Sequence, residues 1–99
     1  MLNIIKNAQD DKLEVVLEGR LDTTTAPSLD AELKGALDGV KDLKFDLTKL
    51  EYISSAGLRV LLSSQKVMNK QGNMVVANAS EELKEIFDVT GFSDILTIE

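Results

Sequence analysis

The chain has 99 residues, 43% hydrophobic and 28% charged, which suits one soluble domain; three Phe, one Tyr and no Trp make its core largely aliphatic. With 17 acidic against 11 basic residues the formal net charge is −6, so nucleic acid and anionic membrane surfaces are poor partners. The absence of Cys excludes disulfides and thiol chemistry, and the absence of His removes the commonest general base, the commonest metal ligand and any phosphohistidine relay.

Residues 2–6 are mostly apolar and read as a short strand. They lack the long apolar core of a signal peptide, and no apolar run approaches membrane-spanning length, so the expected location is the cytoplasm. Asn7-Ala8-Gln9-Asp10-Asp11 offers turn chemistry, after which Leu13, Val15 and Leu17 alternate with Glu14 and Glu18. The expectation is an antiparallel hairpin whose second strand ends at Gly19. Pro27 fits only the first turn of a helix, with Thr25 as a candidate cap. Ala26, Leu29, Leu33, Ala36 and Leu37 then share one helical face, with Gly35 inside the helix and Gly39 ending it.

The stretch from Phe45 to Met68 organises the chain. Leu43, Phe45 and Leu47 alternate with Lys44 and Asp46 as in a half-buried strand, and Leu58, Leu61, Leu62 and Met68 recur at helical spacing. Between them lie Ser54, Ser55, Ala56 and Gly57. A serine here can cap the helix, the commoner role, or stand exposed where free N–H groups and the helix dipole favour a phosphate. After the turn Lys70–Asn73, the run Met74–Ala77 reads as a strand buried on both faces. Ser80 should cap a last helix with Glu81 and Glu82 in its first turn, Leu83, Ile86 and Phe87 on its buried face, and Gly91 at its end. Ile95, Leu96 and Ile98 either add a final strand or pack against the sheet edge.

Strands separated by helices are parallel and joined by right-handed crossovers. The predicted fold is therefore α/β, a mixed but mainly parallel sheet with an N-terminal antiparallel hairpin and helices chiefly on one face. Functional groups should collect beyond the carboxyl ends of the strands, where Asp22–Thr25, Tyr52–Gly57 and Asn78–Ser80 arrive. Ser55 and Asp22 suggest a hydrolytic pair, but there is no His, no lysine obviously placed as a substitute base and no Gly-x-Ser-x-Gly. A phosphate-cradling Gly-x-x-x-x-Gly-Lys loop is also absent. Asp22 has an equally plain role as a turn residue bonded to local N–H groups. Carboxylate pairs such as Asp10 with Asp11 show no metal-ligand pattern.

Asp46-Leu47-Thr48 through Tyr52-Ile53-Ser54-Ser55-Ala56-Gly57-Leu58-Arg59-Val60-Leu61-Leu62 closely resembles the signature of bacterial anti-sigma-factor antagonists, the STAS domain. Gly19-Arg20-Leu21-Asp22 resembles that family's Gly-x-Leu-Asp element, and Phe87 to Phe92 its late Phe-x-x-x-Gly element. The resemblance implies a single STAS domain over residues 1–99, a switch protein rather than an enzyme, without cofactor or metal. It implies two partners, an anti-sigma factor with an ATP-binding serine-kinase domain and a metal-dependent serine phosphatase. Ser55 takes the position of the phosphoacceptor, and Asp22 that of the acidic residue beside it. Asp22, Thr23, Ser54, Ala56, Gly57 and Arg59 are the expected switch surface. Ser54 and Ala56 depart from the family's common Asp before the acceptor and Ser or Thr after it. The alternative within the same fold is a non-switching STAS subunit of a transporter or stress-signalling scaffold.

Overall fold

The computed structural model describes residues 2–99. Strand β1 (Leu2–Gln9) and strand β2 (Lys12–Leu21) form an antiparallel hairpin in continuous register from Leu2↔Gly19 to Gln9↔Lys12. Asn7, Ala8 and Gln9, expected in the turn, belong to the strand. Asp10 and Asp11 alone make the connection, because Asp10 accepts a left-handed φ of 55°. Strand β2 does not stop at Gly19 either. Gly19 takes a φ of 105°, open to a residue without Cβ, and the strand continues to Leu21, which is fully buried.

Helix α1 (Ala26–Leu33) carries the chain to strand β3 (Asp42–Ile53), which lies parallel to β2. The helix is shorter than its apolar spacing implies. Lys34 already leaves helical geometry with a ψ of 119°, and Gly35 follows with a φ of 81°, so the helix expected to run on to Gly39 stops at Leu33; Gly39, with a φ of 77°, turns the irregular segment beyond it. Leu37 stays buried on this irregular segment. Strand β3 is longer than the Leu43–Leu47 alternation shows. Its pairing with β2 slips by one residue after Asp46 and again after Leu50. Each slip places an extra residue in β3, so the buried positions change spacing from two to three: Leu47, Leu50, Ile53. These irregularities keep the core face continuous to the strand's end, immediately below the serines.

Helix α2 (Ser55–Gln71) leads to strand β4 (Asn73–Ala77), again parallel, giving the sheet order β1-β2-β3-β4. Met74, Val76 and Ala77 are buried, but Val75 is only half-buried, so β4 is covered on one face rather than two. Helix α3 (Glu81–Thr90) begins at Ser80, whose hydroxyl accepts from the Leu83 N–H at 3.2 Å, and ends at Gly91 with φ 81°. Leu83 and Phe87 are buried and Ile86 half-buried. A short 3-10 turn (Phe92–Asp94) follows, Leu96 is buried, and Ile98 makes one parallel bridge to Val76. The buried side chains of the sheet and the three helices form one cluster, from Leu13 through Phe45 and Leu61 to Phe87, on a single side of the sheet. Alternate β2 residues, Glu14, Val16 and Glu18, stay half-exposed on the other side.

Candidate functional site

The site assembles where β2 and β3 end side by side. Leu21 pairs with Ile53, and the Ser54 N–H donates to the Leu21 carbonyl at 2.8 Å, which ties the start of α2 to the residue before Asp22. Ser54 has extended backbone dihedrals, and its hydroxyl accepts from the Gly57 N–H at 3.4 Å, while its carbonyl accepts the first helical bond from Leu58 at 2.9 Å. Ser54 is thus the N-cap of α2. Ser55 is the first helical residue and is exposed, and among the described residues its hydroxyl makes no hydrogen bond. The sequence left both serines open to the capping role; the fold assigns it to Ser54 and leaves Ser55 free.

Gly57 sets how closely this helix end approaches the sheet. A Cβ there would lie 2.6 Å from Leu21 Cγ and 2.9 Å from Ile53 Cγ1. Only a glycine lets α2 start directly over the ends of β2 and β3, which places Ser55 at the rim rather than above it.

The Asp22 loop is tied down from within. Oδ1 of Asp22 accepts from the Thr24 hydroxyl at 2.7 Å, the Thr24 N–H at 3.0 Å and the Thr25 N–H at 3.2 Å. The Thr24 hydroxyl bond is the main reason its carboxyl titrates below the usual aspartate range. Thr25 takes the N-cap position of α1 as expected, but its side chain makes no capping bond. Its hydroxyl donates to the Arg20 carbonyl and accepts from the Asp22 N–H, both at 2.8 Å, so its oxygen braces the loop instead. Asp22 is therefore a turn residue as well as a rim carboxylate, with Oδ2 facing Arg20 Nε at 3.8 Å.

A shallow groove runs between α1 and α2 beside the serines, lined by Thr23, Pro27, Asp30, Ala56, Arg59 and Ser63. Thr23, Ala56 and Arg59 thus share one surface. Asp30 and Ser63 belong to the same groove and were not singled out in the sequence; their α1 and α2 positions give no signal before the helices are docked. A second unsuspected feature is the Arg20 guanidinium, 4.6 Å from the centre of the Tyr52 ring on the uncovered sheet face. The pair follows from the register Arg20↔Tyr52, which the slips in β3 hide from the sequence. On the same face toward β4, Asp46 Oδ1 accepts from the Thr48 hydroxyl and N–H and from the Asn78 amide at 3.2 Å. Those bonds, the Thr48 hydroxyl first, hold the Asp46 carboxyl below its ordinary value and fasten the left-handed Asn78 at the end of β4.

Among the described residues, no group of His, Cys, Asp or Glu is arranged to hold a metal ion, and no helix is long and apolar enough to cross a membrane.

The STAS domain profile matches residues 3–99. BtrV of Bordetella bronchiseptica is 36% identical over 91 residues, covering 90% of this chain and 78% of that protein. The anti-sigma-B factor antagonist of Bacillus subtilis is 32% identical over 98 residues, covering 98% of this chain and 90% of its own length. The crystal structure of an anti-sigma factor antagonist from Mycobacterium paratuberculosis superposes with a TM-score of 0.89 at 21% identity, over 99% of this chain and 85% of that one.

Proposed function

Because the chain belongs to the STAS domain family, we propose that it acts as an anti-sigma-factor antagonist. It binds an anti-sigma factor and so releases a sigma factor. The anti-sigma factor carries an ATP-binding serine-kinase domain, which ends the interaction by phosphorylating Ser55, and a metal-dependent phosphatase restores it. On this reading the chain is a regulatory binding protein of the cytoplasm, and residues 1–99 make up one STAS domain. The observation that carries the switch is the exposed, unbonded Ser55 hydroxyl one residue after a cap that already satisfies the helix.

The chemistry follows from that placement. A kinase needs a hydroxyl it can reach, and Ser55 offers one without unwinding α2. The phosphate adds about 1.5 to 2 negative charges and three strong acceptors. In the free protein the helix N-terminus stabilises this charge. In a complex seated on the rim, the phosphate must be desolvated beside the Asp22 carboxylate, and binding is lost. The contact surface comprises Asp22, Thr23, Ser54, Ala56 and Arg59, with the α1–α2 groove alongside; Gly57, expected on it, is buried against Leu21 and Ile53 and shapes the rim from beneath.

Incubation with the cognate kinase and ATP, followed by peptide mass spectrometry, tests the acceptor. Ser55→Ala is expected to bind constitutively and resist phosphorylation, and Ser55→Asp to bind poorly. Phosphate on Ser54 alone, or undiminished binding by the Ser55-phosphorylated chain, would overturn the mechanism.

A further inference from the structure

The two edges of the sheet are treated differently. Along β4, Val76 donates its N–H to the Thr97 carbonyl at 2.8 Å and accepts from the Glu99 N–H at 2.9 Å, so the tail covers part of that edge. Along β1, among the described residues, no strand lies on the side away from β2. The strand is eight residues long and pairs with β2 without a register slip. The devices that blunt exposed edges are nearly missing from it: there is no proline and no bulge. Its single charge, Lys6, is drawn to Glu32 of α1 at 3.1 Å.

The hairpin fixes which backbone groups remain open. A two-residue connection makes its flanking pair, Gln9 and Lys12, exchange both hydrogen bonds. Alternation along an antiparallel ladder then points the N–H and C=O of Ala8, Lys6, Ile4 and Leu2 away from β2.

We propose that this edge is a self-association surface, on which β1 pairs antiparallel with β1 of a second copy of this chain about a two-fold axis at Ile5. That register sets Leu2 opposite the second copy's Ala8, Asn3 opposite its Asn7, Ile4 opposite its Lys6, and Ile5 opposite its Ile5. Every outward backbone group then meets an outward group, because positions 2, 4, 6 and 8 pair only among themselves. The ammonium groups face isoleucines, not each other, the two Asn side chains can bond across the strands, and Ile5, which is 43% exposed, is covered at the axis. Moving the axis to Lys6 brings two ammonium groups together, and moving it to Ile4 leaves Ala8 unpaired. The strand is complementary to itself in this register, and a second copy is therefore the occupant it fits. Strand β2 separates this edge from β3 and the Ser55 rim, so the pair would present two open copies of the proposed switch.

The lack of native cysteine makes the register directly testable. At the axis, opposed residues lie about 4.5 Å apart between Cα atoms, within disulfide range. Two copies of Asn3 would be about 13 Å apart, beyond it. Under oxidised glutathione Ile5→Cys is expected to form covalent dimers at least tenfold faster than Asn3→Cys, and a mixture of Asn3→Cys with Asn7→Cys to form the mixed dimer. In sedimentation equilibrium the wild-type mass should rise from 10.8 kDa toward two chains as concentration increases. Ile5→Glu, which sets two carboxylates face to face at an exposed position, should stay monomeric with an unchanged circular dichroism spectrum. A wild-type chain that remains monomeric to about 1 mM, or Asn3→Cys cross-linking as fast as Ile5→Cys, overturns the proposal.

Discussion

Gly57→Ala separates close packing from helix propensity because the two predict opposite signs. Alanine is preferred over glycine inside a helix by about 1 kcal/mol, and by less in the first turn. On propensity alone the variant should be more stable. In the structure, however, the new methyl meets Leu21 Cγ at 2.6 Å, Ile53 Cγ1 at 2.9 Å and Leu21 Cδ2 at 3.0 Å. Leu21 is fully buried and Ile53 is 2% exposed, so neither can swing into solvent. Overpacking of this kind costs roughly 1–3 kcal/mol. The net expectation is a loss of about 1–2 kcal/mol, which lowers Tm by roughly 5–15 °C in a domain of this size. Urea denaturation should show a lower midpoint at an unchanged m-value. A double-mutant cycle with Leu21→Ala identifies the contact, since removing Cγ and Cδ2 should reduce the penalty of the alanine at position 57. A Tm at or above wild type for Gly57→Ala would refute the close-approach argument and its account of where Ser55 sits.

Three further outcomes test the surroundings of the site. Ser54→Ala should cost about 0.5–1 kcal/mol, at the low end for a cap because the Gly57 bond is long, yet Ser55 should still accept phosphate; a loss of modification on Ser55 would place the acceptor register in error. Asp46 has a folded-state pKa below its ordinary 3.8, so its contribution to stability is present above the unfolded value and lost as pH falls through the folded one. Asp46→Asn should therefore flatten the fall of Tm between about pH 5 and pH 2, and an unchanged slope would sink this assignment. Arg59→Glu, at an exposed groove position, should weaken the anti-sigma complex most at low salt; identical affinities across a salt series would remove Arg59 from the contact.

The order of elements was readable because apolar spacing changes cleanly between Leu17, Leu29, Phe45, Leu61 and Val76, and each crossover has the length of a helix. Boundaries failed where a glycine or a slip overrode the pattern. Gly35 falls inside the helix that the spacing of Leu33, Ala36 and Leu37 implies, but Lys34 is already extended and Gly35 turns left-handed, so α1 stops at Leu33. The extension of β3 to Ile53 is hidden because Leu50 and Ile53 fall three apart, a helical interval produced here by extra residues in a strand. For the rim, the family resemblance singled out Ser55, Asp22 and Gly57, and the parallel pairing of β2 with β3 is what makes them neighbours. Which serine caps was not legible, since either hydroxyl could reach a free N–H; the extended backbone of Ser54 decides it. The groove partners Asp30 and Ser63 come from two helices that only tertiary docking sets side by side.

Adjacent serines with different backbone states answer a problem inherent in the proposed switch. A capping hydroxyl is already committed as an acceptor, so a phosphate on it would disturb the bond that starts the helix. Ser54 holds that bond and Ser55 is left without one, so a phosphate on Ser55 adds charge without removing a structural contact. The neighbouring carboxylate follows the same logic. Asp22 Oδ1 is held by Thr24 and Thr25, which keeps the group ionised and fixed when the phosphate arrives. A fixed negative charge cannot retreat from a new one, so the repulsion falls on any partner seated over the rim. Each 1.4 kcal/mol of such penalty is about tenfold in affinity, so a few kcal/mol suffice to switch binding off while the fold stays as it is.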